Sequence, residues 1–229
     1  MPLFSDRRNP ALILTELPRA AGEFGAALAV SPLLARLPRG DGHHVVVLPG
    51  LAASDTSTRY LRRFLRGLGY HVHGWRVGRN MGPTDLVLGG LRERMATLRA
   101  AHGEPMSLIG WSLGGIYARR IASAAPEHTR QVITLGSPFR MTSQDGGLRV
   151  PVTNVYTRGD GIVPWRTCLD DPGPERENVE VRGSHCGLGH NPAALVVIAD
   201  RLAQTPGSWH PFTAPRGLGR LYPRPKTEP

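Results

Sequence analysis

The sequence predicts a single-domain α/β fold, in which a mostly parallel sheet of about six strands is flanked by helices. Short apolar runs rich in Val and Ile alternate with longer amphipathic segments along the chain, as in βαβ units. A chain of 229 residues is long enough to bury one full core. The short connection between Pro138 and Asp160 leaves no room for a large cap domain over the sheet.

Three stretches of the chain differ in character. Residues 1–42 are predicted to form an N-terminal arm, irregular to residue 19, followed by a helix over 20–37 that Pro32 breaks. Residues 43–204 carry the alternating strand and helix patterns of the core. Residues 205–229 form a tail rich in Pro and Arg, and the pattern leaves open whether it folds over the core.

Within the core, each element follows from its hydrophobic period. β-branched or alternating runs predict strands at 44–48, 70–75, 106–110, 131–135, 152–157 and 179–181. Apolar residues at helical spacing, with arginines opposite, predict helices at 57–67, 84–101, 113–124 and 193–202. In the helix over 84–101 we expect four side chains to face inward, namely Leu86, Leu91, Met95 and Leu98.

The chain is strongly basic, with a formal net charge of +10. Lys226 is the sole lysine, and the arginines are scattered over helical faces and the tail without an interleaved aromatic stripe. We therefore expect solvated surfaces and no specific nucleic-acid partner. The charge leaves open a weak attraction to anionic membrane surfaces or acidic substrates. The sequence does not indicate an oligomeric state.

Membrane and secretory segments are not expected. No run approaches the roughly 18–20 apolar residues of a spanning helix, and Glu23 interrupts the apolar stretch nearest the N-terminus. The sequence therefore favours a cytoplasmic protein. Cys168 and Cys186 are too few for a disulfide framework. They are predicted either as two free thiols or as one bridge that holds the loop after His185.

The most informative motif is Gly110-Trp111-Ser112-Leu113-Gly114. It lies where a predicted strand turns directly into a predicted helix, so that the serine is presented at a sharp, strained bend. Glycines two before and two after the serine are needed because a Cβ there would strike the neighbouring strand and helix. The pattern predicts Ser112 as a nucleophile.

A serine nucleophile needs a base, and the base needs an acid that orients it. Asp160 directly follows the predicted strand 152–157, and His185 directly follows the strand 179–181. Because the carboxyl ends of parallel strands share one edge of a sheet, we expect both residues beside Ser112. The weaker alternatives are His190 for the base and, for the acid, Asp145, Asp170 and Asp171.

Acyl transfer also requires N–H donors for the oxyanion. The backbone N–H of Leu113, next to the nucleophile, is one expected donor. The N–H of Leu51, in the loop after the first buried strand, is the other. The His, Cys and acidic residues show no metal-ligand spacing along the chain, so we expect neither a catalytic metal nor a cofactor.

These motifs resemble those of bacterial α/β-hydrolases of the lipase and carboxylesterase type, over residues 43–204. The resemblance rests on Leu-Pro-Gly-Leu (48–51), Gly-Trp-Ser-Leu-Gly-Gly (110–115), Leu-Gly-Ser-Pro (135–138), Asp-Gly-Ile-Val-Pro (160–164), Ser-His-Cys-Gly-Leu (184–188) and Asn-Pro (191–192). The order Ser, Asp, His is that of the family. Pro49 stands where many lipases have a histidine. The resemblance implies a serine hydrolase acting on small-molecule or lipid esters, without the large lid of some lipases.

Several apolar residues near the expected site are candidates for an acyl pocket: Trp111, Phe139, Ile162, Trp165 and Leu188, with Leu51 and Val163. A flap over 139–147 and the turn over 78–82 are candidates for its border. The same machinery also serves thioesterases, amidases, lactonases and acyltransferases. A non-catalytic binding protein of this fold and an arginine-based nucleic-acid binder remain as alternatives.

Overall fold

A computed structural model describes residues 9–142 and 148–223. Its centre is one sheet of six parallel strands in the order β2-β1-β3-β4-β5-β6. The strands are β1 (His44–Leu48), β2 (His71–Gly74), β3 (Met106–Trp111), β4 (Thr129–Leu135), β5 (Val152–Tyr156) and β6 (Arg176–Glu180). The predicted fold class and all six predicted strands are confirmed, with ends that differ by up to three residues.

Helices cover both faces of the sheet. They are α1 (Pro10–Ala29), α2 (Ser31–Leu34), α3 (Arg59–Gly67), α4 (Asp85–His102), α5 (Leu113–Ala124) and α6 (Pro192–Leu202). Alternate residues of β1 point to opposite faces: Val45 and Val47 join the core under α3 and α6, whereas Val46 and Leu48 join the core under α4 and α5. Burial on both faces explains why the strands read as continuous apolar runs.

The N-terminal region differs from the prediction. Instead of an irregular segment and a helix over 20–37, α1 begins at Pro10 and ends at Ala29. The Asn9 side chain accepts a hydrogen bond from the N–H of Ala11, and Pro10 occupies the first helical position, where its missing N–H costs nothing. Pro18 lies inside the helix without ending it.

A second difference concerns α4. Leu86 was expected to face inward, but it is 83% exposed, and the neighbouring Val87 is buried instead. Val87, Leu91, Met95 and Leu98 form the buried stripe. Thr84 caps the helix at the N–H of Val87. The prediction is therefore wrong only at the first position, and Leu91, Met95 and Leu98 are buried as expected.

The tail lies on the domain as far as residue 223. The N–H of Phe212 donates to Glu177 on β6 at 2.8 Å, and the hydroxyl of Tyr222 donates to the carbonyl of Ala193 on α6 at 3.2 Å. Part of the predicted flap, residues 143–147, lies outside the described residues, and Phe139–Met141 forms one 3₁₀ turn. Among the described helices, none combines the length and hydropathy that a membrane span would need.

Candidate active site

Ser112 occupies the bend between β3 and α5. Its φ of 53° and ψ of −122° place a non-glycine residue in a region that costs of order 1–3 kcal/mol and that marks strained functional turns. The N–H of Ser112 donates to the carbonyl of Leu135 at the end of β4, at 2.8 Å. The serine is thereby fixed at the carboxyl edge of the sheet.

The glycines around Ser112 are required by close packing, as predicted. A Cβ at Gly110 would lie 2.3 Å from the backbone of Gly114 and Gly115. A Cβ at Gly114 would lie 2.3 Å from the carbonyl oxygen of Leu48 on β1. Strand, bend and helix can therefore approach one another this closely only with glycine at these positions.

Asp160 and His185 form a hydrogen-bonded pair. His185 Nδ1 and Asp160 Oδ2 are 2.6 Å apart, and both side chains are nearly inaccessible. The other carboxylate oxygen of Asp160 accepts hydrogen bonds from the N–H groups of Ile162 at 2.8 Å and Val163 at 2.6 Å. A carboxylate held in this way fixes Nδ1 as the protonated nitrogen and leaves Nε2 as the basic one.

Two contacts bring this pair to the nucleophile. The indole N–H of Trp111 donates to the carbonyl of His185 at 3.1 Å. Gly136 follows Leu135, whose carbonyl accepts the N–H of Ser112. Gly136 also lies close to His185, because a Cβ at Gly136 would be 3.1 Å from His185 Nδ1. Within the described part of the chain, the Ser112 hydroxyl has no hydrogen bond to His185. Such bonds are often long before substrate binds.

The rival acids and bases are engaged elsewhere. His190 Nε2 contacts the carbonyl of Ala20 at 3.0 Å. Asp170 forms an ion pair with the buried Arg119 at 2.7 Å, and Asp171 pairs with Arg140. Asp145 lies outside the described residues. Of the candidate acids and bases that the structure describes, Asp160 and His185 are the pair hydrogen-bonded to each other.

The loop after β1 lies directly against Ser112. A Cβ at Gly50 would be 3.2 Å from the Cβ of Ser112, and Leu51 is the next residue of this loop. Leu113 is the first residue of α5, so no helical carbonyl four residues earlier can accept its N–H. This arrangement is compatible with both predicted oxyanion donors.

Asn80 holds this loop in place. Its Nδ2 donates to the carbonyl of Pro49 at 2.9 Å, and its backbone N–H donates to the carbonyl of Ala53 at 2.8 Å. Its carbonyl accepts the N–H of Ala52 at 2.7 Å. The side chain is fully buried. The turn over 78–82, a candidate border of the pocket, thus holds the loop after β1 in place.

Helix α1 provides a contact to the same region that the sequence did not predict. The buried carboxylate of Glu16 accepts hydrogen bonds from three backbone N–H groups, those of Gly161 at 2.7 Å, His185 at 3.2 Å and Cys186 at 3.0 Å. Burial alone would raise the pKa of this carboxyl, but these hydrogen bonds and the charge of Arg19 outweigh it and lower the pKa. Glu16 therefore joins the acid loop to the histidine loop.

Two further α1 side chains strengthen this connection. Arg19 donates to the carbonyls of Gly159 at 2.8 Å and Gly183 at 3.0 Å. Glu23 accepts the N–H of Ser184 at 2.7 Å and the side-chain amide of Asn191 at 2.9 Å. Asn191 also caps α6. We call Glu16, Arg19 and Glu23 the α1 clamp, because they hold the loops that carry Asp160 and His185.

The predicted pocket residues occupy different settings. Leu188 is buried against Gly136, and Ile162 is exposed beside Asp160. Phe139 is buried under the guanidinium of Arg119, and Trp165 stacks on the ring of Tyr156. Trp111 makes the bond to His185 described above. Their role in an acyl pocket stays a prediction.

Both cysteines are free thiols. Burial and the charge of Glu16 raise the pKa of Cys186 to about 11, and burial raises the pKa of Cys168 still further. Both groups are therefore protonated at neutral pH. Since the thiolate is the nucleophilic form, neither competes with Ser112.

No protein-family model matches this chain. A stretch of 125 residues, 52% of the chain, is 30% identical to a pimeloyl-[acyl-carrier protein] methyl ester esterase of Aliivibrio salmonicida (strain LFI1238). The match spans 46% of that esterase, so the chain corresponds to about half of this relative's length.

Solved structures show the fold more completely. One of the metagenome-derived lipolytic enzymes LipS and LipT is 17% identical with a TM-score of 0.57, over 72% of this chain and 93% of its own. A monoacylglycerol lipase of Paleococcus ferrophilus is 14% identical with a TM-score of 0.56, over 73% and 96%. The thioesterase domain of the curacin pathway is 14% identical with a TM-score of 0.51, over 74% and 92%. The chain has the α/β-hydrolase fold.

Proposed function

We propose that this protein is a serine hydrolase that cleaves carboxylic esters, with Ser112 as nucleophile, His185 as base and Asp160 as the orienting acid. One observation supports the proposal most: His185, which pairs with Asp160, accepts a hydrogen bond from Trp111, the residue before the strained Ser112 at the bend between strand and helix. A serine hydroxyl becomes a competent nucleophile only when such a base removes its proton.

The reaction would proceed in two halves. His185 Nε2 takes the hydroxyl proton as Ser112 Oγ attacks the ester carbonyl carbon, and the resulting oxyanion lies before the N–H groups of Leu51 and Leu113. When this intermediate collapses, the alcohol leaves with the proton from His185 and the acyl group stays on Ser112. Water then gives a proton to His185 and attacks the acyl carbon, and Ser112 departs with that proton as the acid is released.

The names of the similar proteins support an ester as substrate. The matched curated relative is an ester esterase, and two of the structural neighbours are a lipolytic enzyme and a lipase. We infer a small-molecule or lipid ester as the substrate class. A thioester is the second candidate, because one neighbour of the same fold is a thioesterase domain. Amidase, lactonase and acyltransferase activities would need the same residues.

The experiment is a chain-length series of nitrophenyl esters with the wild type, Ser112→Ala and a matched serine control. Ser208→Ala is that control, because Ser208 lies in an exposed stretch after α6. We expect Ser112→Ala to abolish turnover and covalent labelling by a fluorophosphonate probe, while Ser208→Ala retains both. Retained labelling of Ser112→Ala would refute the assignment. Wild-type protein without turnover or labelling would favour the non-catalytic binding protein.

A further inference from the structure

A cluster of four histidines lies on one face of the sheet, at the end opposite Ser112. His44 begins β1, His71 begins β2 and His102 ends α4. In the parallel register, His44 pairs with His71, and His73 lies two residues further along β2. Because side chains alternate along a strand, His44, His71 and His73 share one face of the sheet. Helix α4, which ends at His102, covers that face. Three elements therefore bring the imidazoles together.

His44 is the centre of this cluster. Its Nδ1 lies 2.9 Å from His73 Nε2, so one of these two nitrogens carries the proton between them. Its ring also stacks on that of His102 with centroids 3.8 Å apart, and on that of His71 at 5.1 Å. One ring nitrogen from each of His44, His73 and His102 lies within 4.8 Å of the other two.

We propose that His44, His73 and His102 bind a divalent late transition-metal ion. Metal–imidazole bonds of about 2.0–2.1 Å place the nitrogens of a tetrahedral site about 3.4 Å apart. His44 Nδ1 and His73 Nε2, 2.9 Å apart, need to separate by about half an ångström, and no pair of the three ligand nitrogens is farther apart than 4.8 Å. Rotation of the half-buried rings about their side-chain bonds can supply shifts of this size. The stacking contact of His44 with His102 opens in the process. Each ring stays neutral, with its N–H on the nitrogen that faces away from the metal.

The surroundings select the kind of ion. Imidazole suits Zn²⁺, Cu²⁺ and Ni²⁺, whereas Mg²⁺ and Ca²⁺ prefer oxygen ligands. The charges of Arg76 and Arg94 act on His73, and these would repel an ion held mainly by charge. Glu104, two residues beyond His102, is the acidic group that acts on His44.

A metal here would join β1, the edge strand β2 and the end of α4. The site lies at the amino ends of the strands, whereas Ser112 follows the carboxyl end of β3. We therefore expect the ion to stabilise the edge of the fold and not to take part in ester cleavage. The inference is independent of the proposed hydrolase activity.

The test is a calorimetric titration of untagged, EDTA-treated full-length protein with Zn²⁺ at pH 7.5. We expect saturable binding of one ion with a micromolar Kd and a higher Tm in its presence. His44→Gln and His73→Gln should each weaken binding at least tenfold. His128→Gln is the matched control, because His128 is a partly exposed histidine in the turn before β4, paired with Glu127. This variant should bind like the wild type.

A second measurement uses only the wild type, so it tests the proposal even where a variant fails to fold. Electron paramagnetic resonance of the wild type with one equivalent of Cu²⁺ should show couplings from three nitrogens. Fewer coordinated nitrogens would overturn the proposal. So would the absence of saturable Zn²⁺ binding up to about 1 mM, or equal affinity in the wild type, His44→Gln and His73→Gln.

Discussion

The carboxylate of Glu16 accepts a hydrogen bond from the backbone N–H of His185, 169 residues later in the chain. The same carboxylate accepts the N–H of Gly161, next to Asp160. One buried side chain of the first helix thus connects the loops of the proposed acid and base. The position of the Asp160–His185 pair depends on α1 as well as on the sheet.

Replacing Glu16 with Gln tests this connection. The amide cannot accept three N–H bonds with the strength of a carboxylate, so the two loops should loosen. We expect the free energy of unfolding to fall by about 1–3 kcal/mol. Since a displacement of about 1 Å can cost a hundredfold in rate, kcat for a nitrophenyl ester should fall tenfold or more, with KM little changed.

Glu127→Gln is the control for this variant, because Glu127 is exposed and pairs only weakly with His128. It should leave kcat and the unfolding free energy within experimental scatter. The assay is run at a temperature at which unfolding curves show both variants to be folded. Wild-type kcat in folded Glu16→Gln would contradict the positioning role of the α1 clamp.

Acid should remove the contribution of Glu16 to stability. Burial acts to raise the folded-state pKa of Glu16, but the three backbone hydrogen bonds and the charge of Arg19 hold this pKa below its ordinary value. A depressed carboxyl pKa stabilises the fold at pH values above the unfolded pKa, and this stabilisation is lost as pH falls through the folded pKa. The Tm difference between the wild type and Glu16→Gln should therefore be constant near pH 6–7 and shrink below about pH 4.5. Thermal melts from pH 3 to 7 measure it, and a difference that grows in acid would contradict the assignment.

Asn80→Ala addresses the loop that carries the proposed oxyanion donor Leu51. The substitution removes the donor to the Pro49 carbonyl and the acceptor of the Gly82 N–H, and it leaves the two backbone bonds to Ala52 and Ala53. We expect a loss of about 1–3 kcal/mol from the unpaired carbonyl and a kcat at least tenfold lower. Tyr117→Phe, which removes only the 3.4 Å bond to Asn80 Oδ1, should have a smaller effect. Full kcat in folded Asn80→Ala would show that this loop does not limit catalysis.

Gly136→Ala should disturb the proposed base directly. Gly136 has a φ of 54°, and an added Cβ would lie 2.8 Å from Leu188 Cδ1 and 3.1 Å from His185 Nδ1. We expect a lower kcat and a loss of stability of about 1–3 kcal/mol. Gly89→Ala is the matched control, since a Cβ inside α4 meets nothing within 4 Å and should stabilise the helix by about 0.5–1 kcal/mol. The measurements are kcat for a nitrophenyl ester and the urea unfolding free energy of both variants.

The sequence was sufficient for the inner strands β1, β3, β4 and β5, because they are buried almost throughout and are therefore rich in apolar residues. The bend at Ser112 was equally readable, since strand, serine and helix follow one another directly and glycines flank the serine on both sides. Asp160 and His185 followed from a general rule, that the ends of parallel strands share one edge. In each case the information is local in the chain.

The α1 clamp and the histidine cluster could not be found in this way. The burial of Glu16 depends on loops more than 140 residues away, and no local pattern distinguishes it from a surface glutamate. Pro18 and the glycines of α1 also weaken the helical pattern there. His44, His73 and His102 are far apart along the chain, so their meeting depends on strand register and on where α4 ends.

The separation of Glu16 from Gly161 also determines when the site is completed during synthesis. A ribosome adds about 5–20 residues per second and makes α1 first. A further 145 residues must be added after Glu16 before its hydrogen-bond partner Gly161 exists. Glu16 and Glu23 remain exposed carboxylates during that interval. The nascent chain can pair β1 and β2 early. The loops of Asp160 and His185 reach their final positions only when α1 packs against them, late in synthesis.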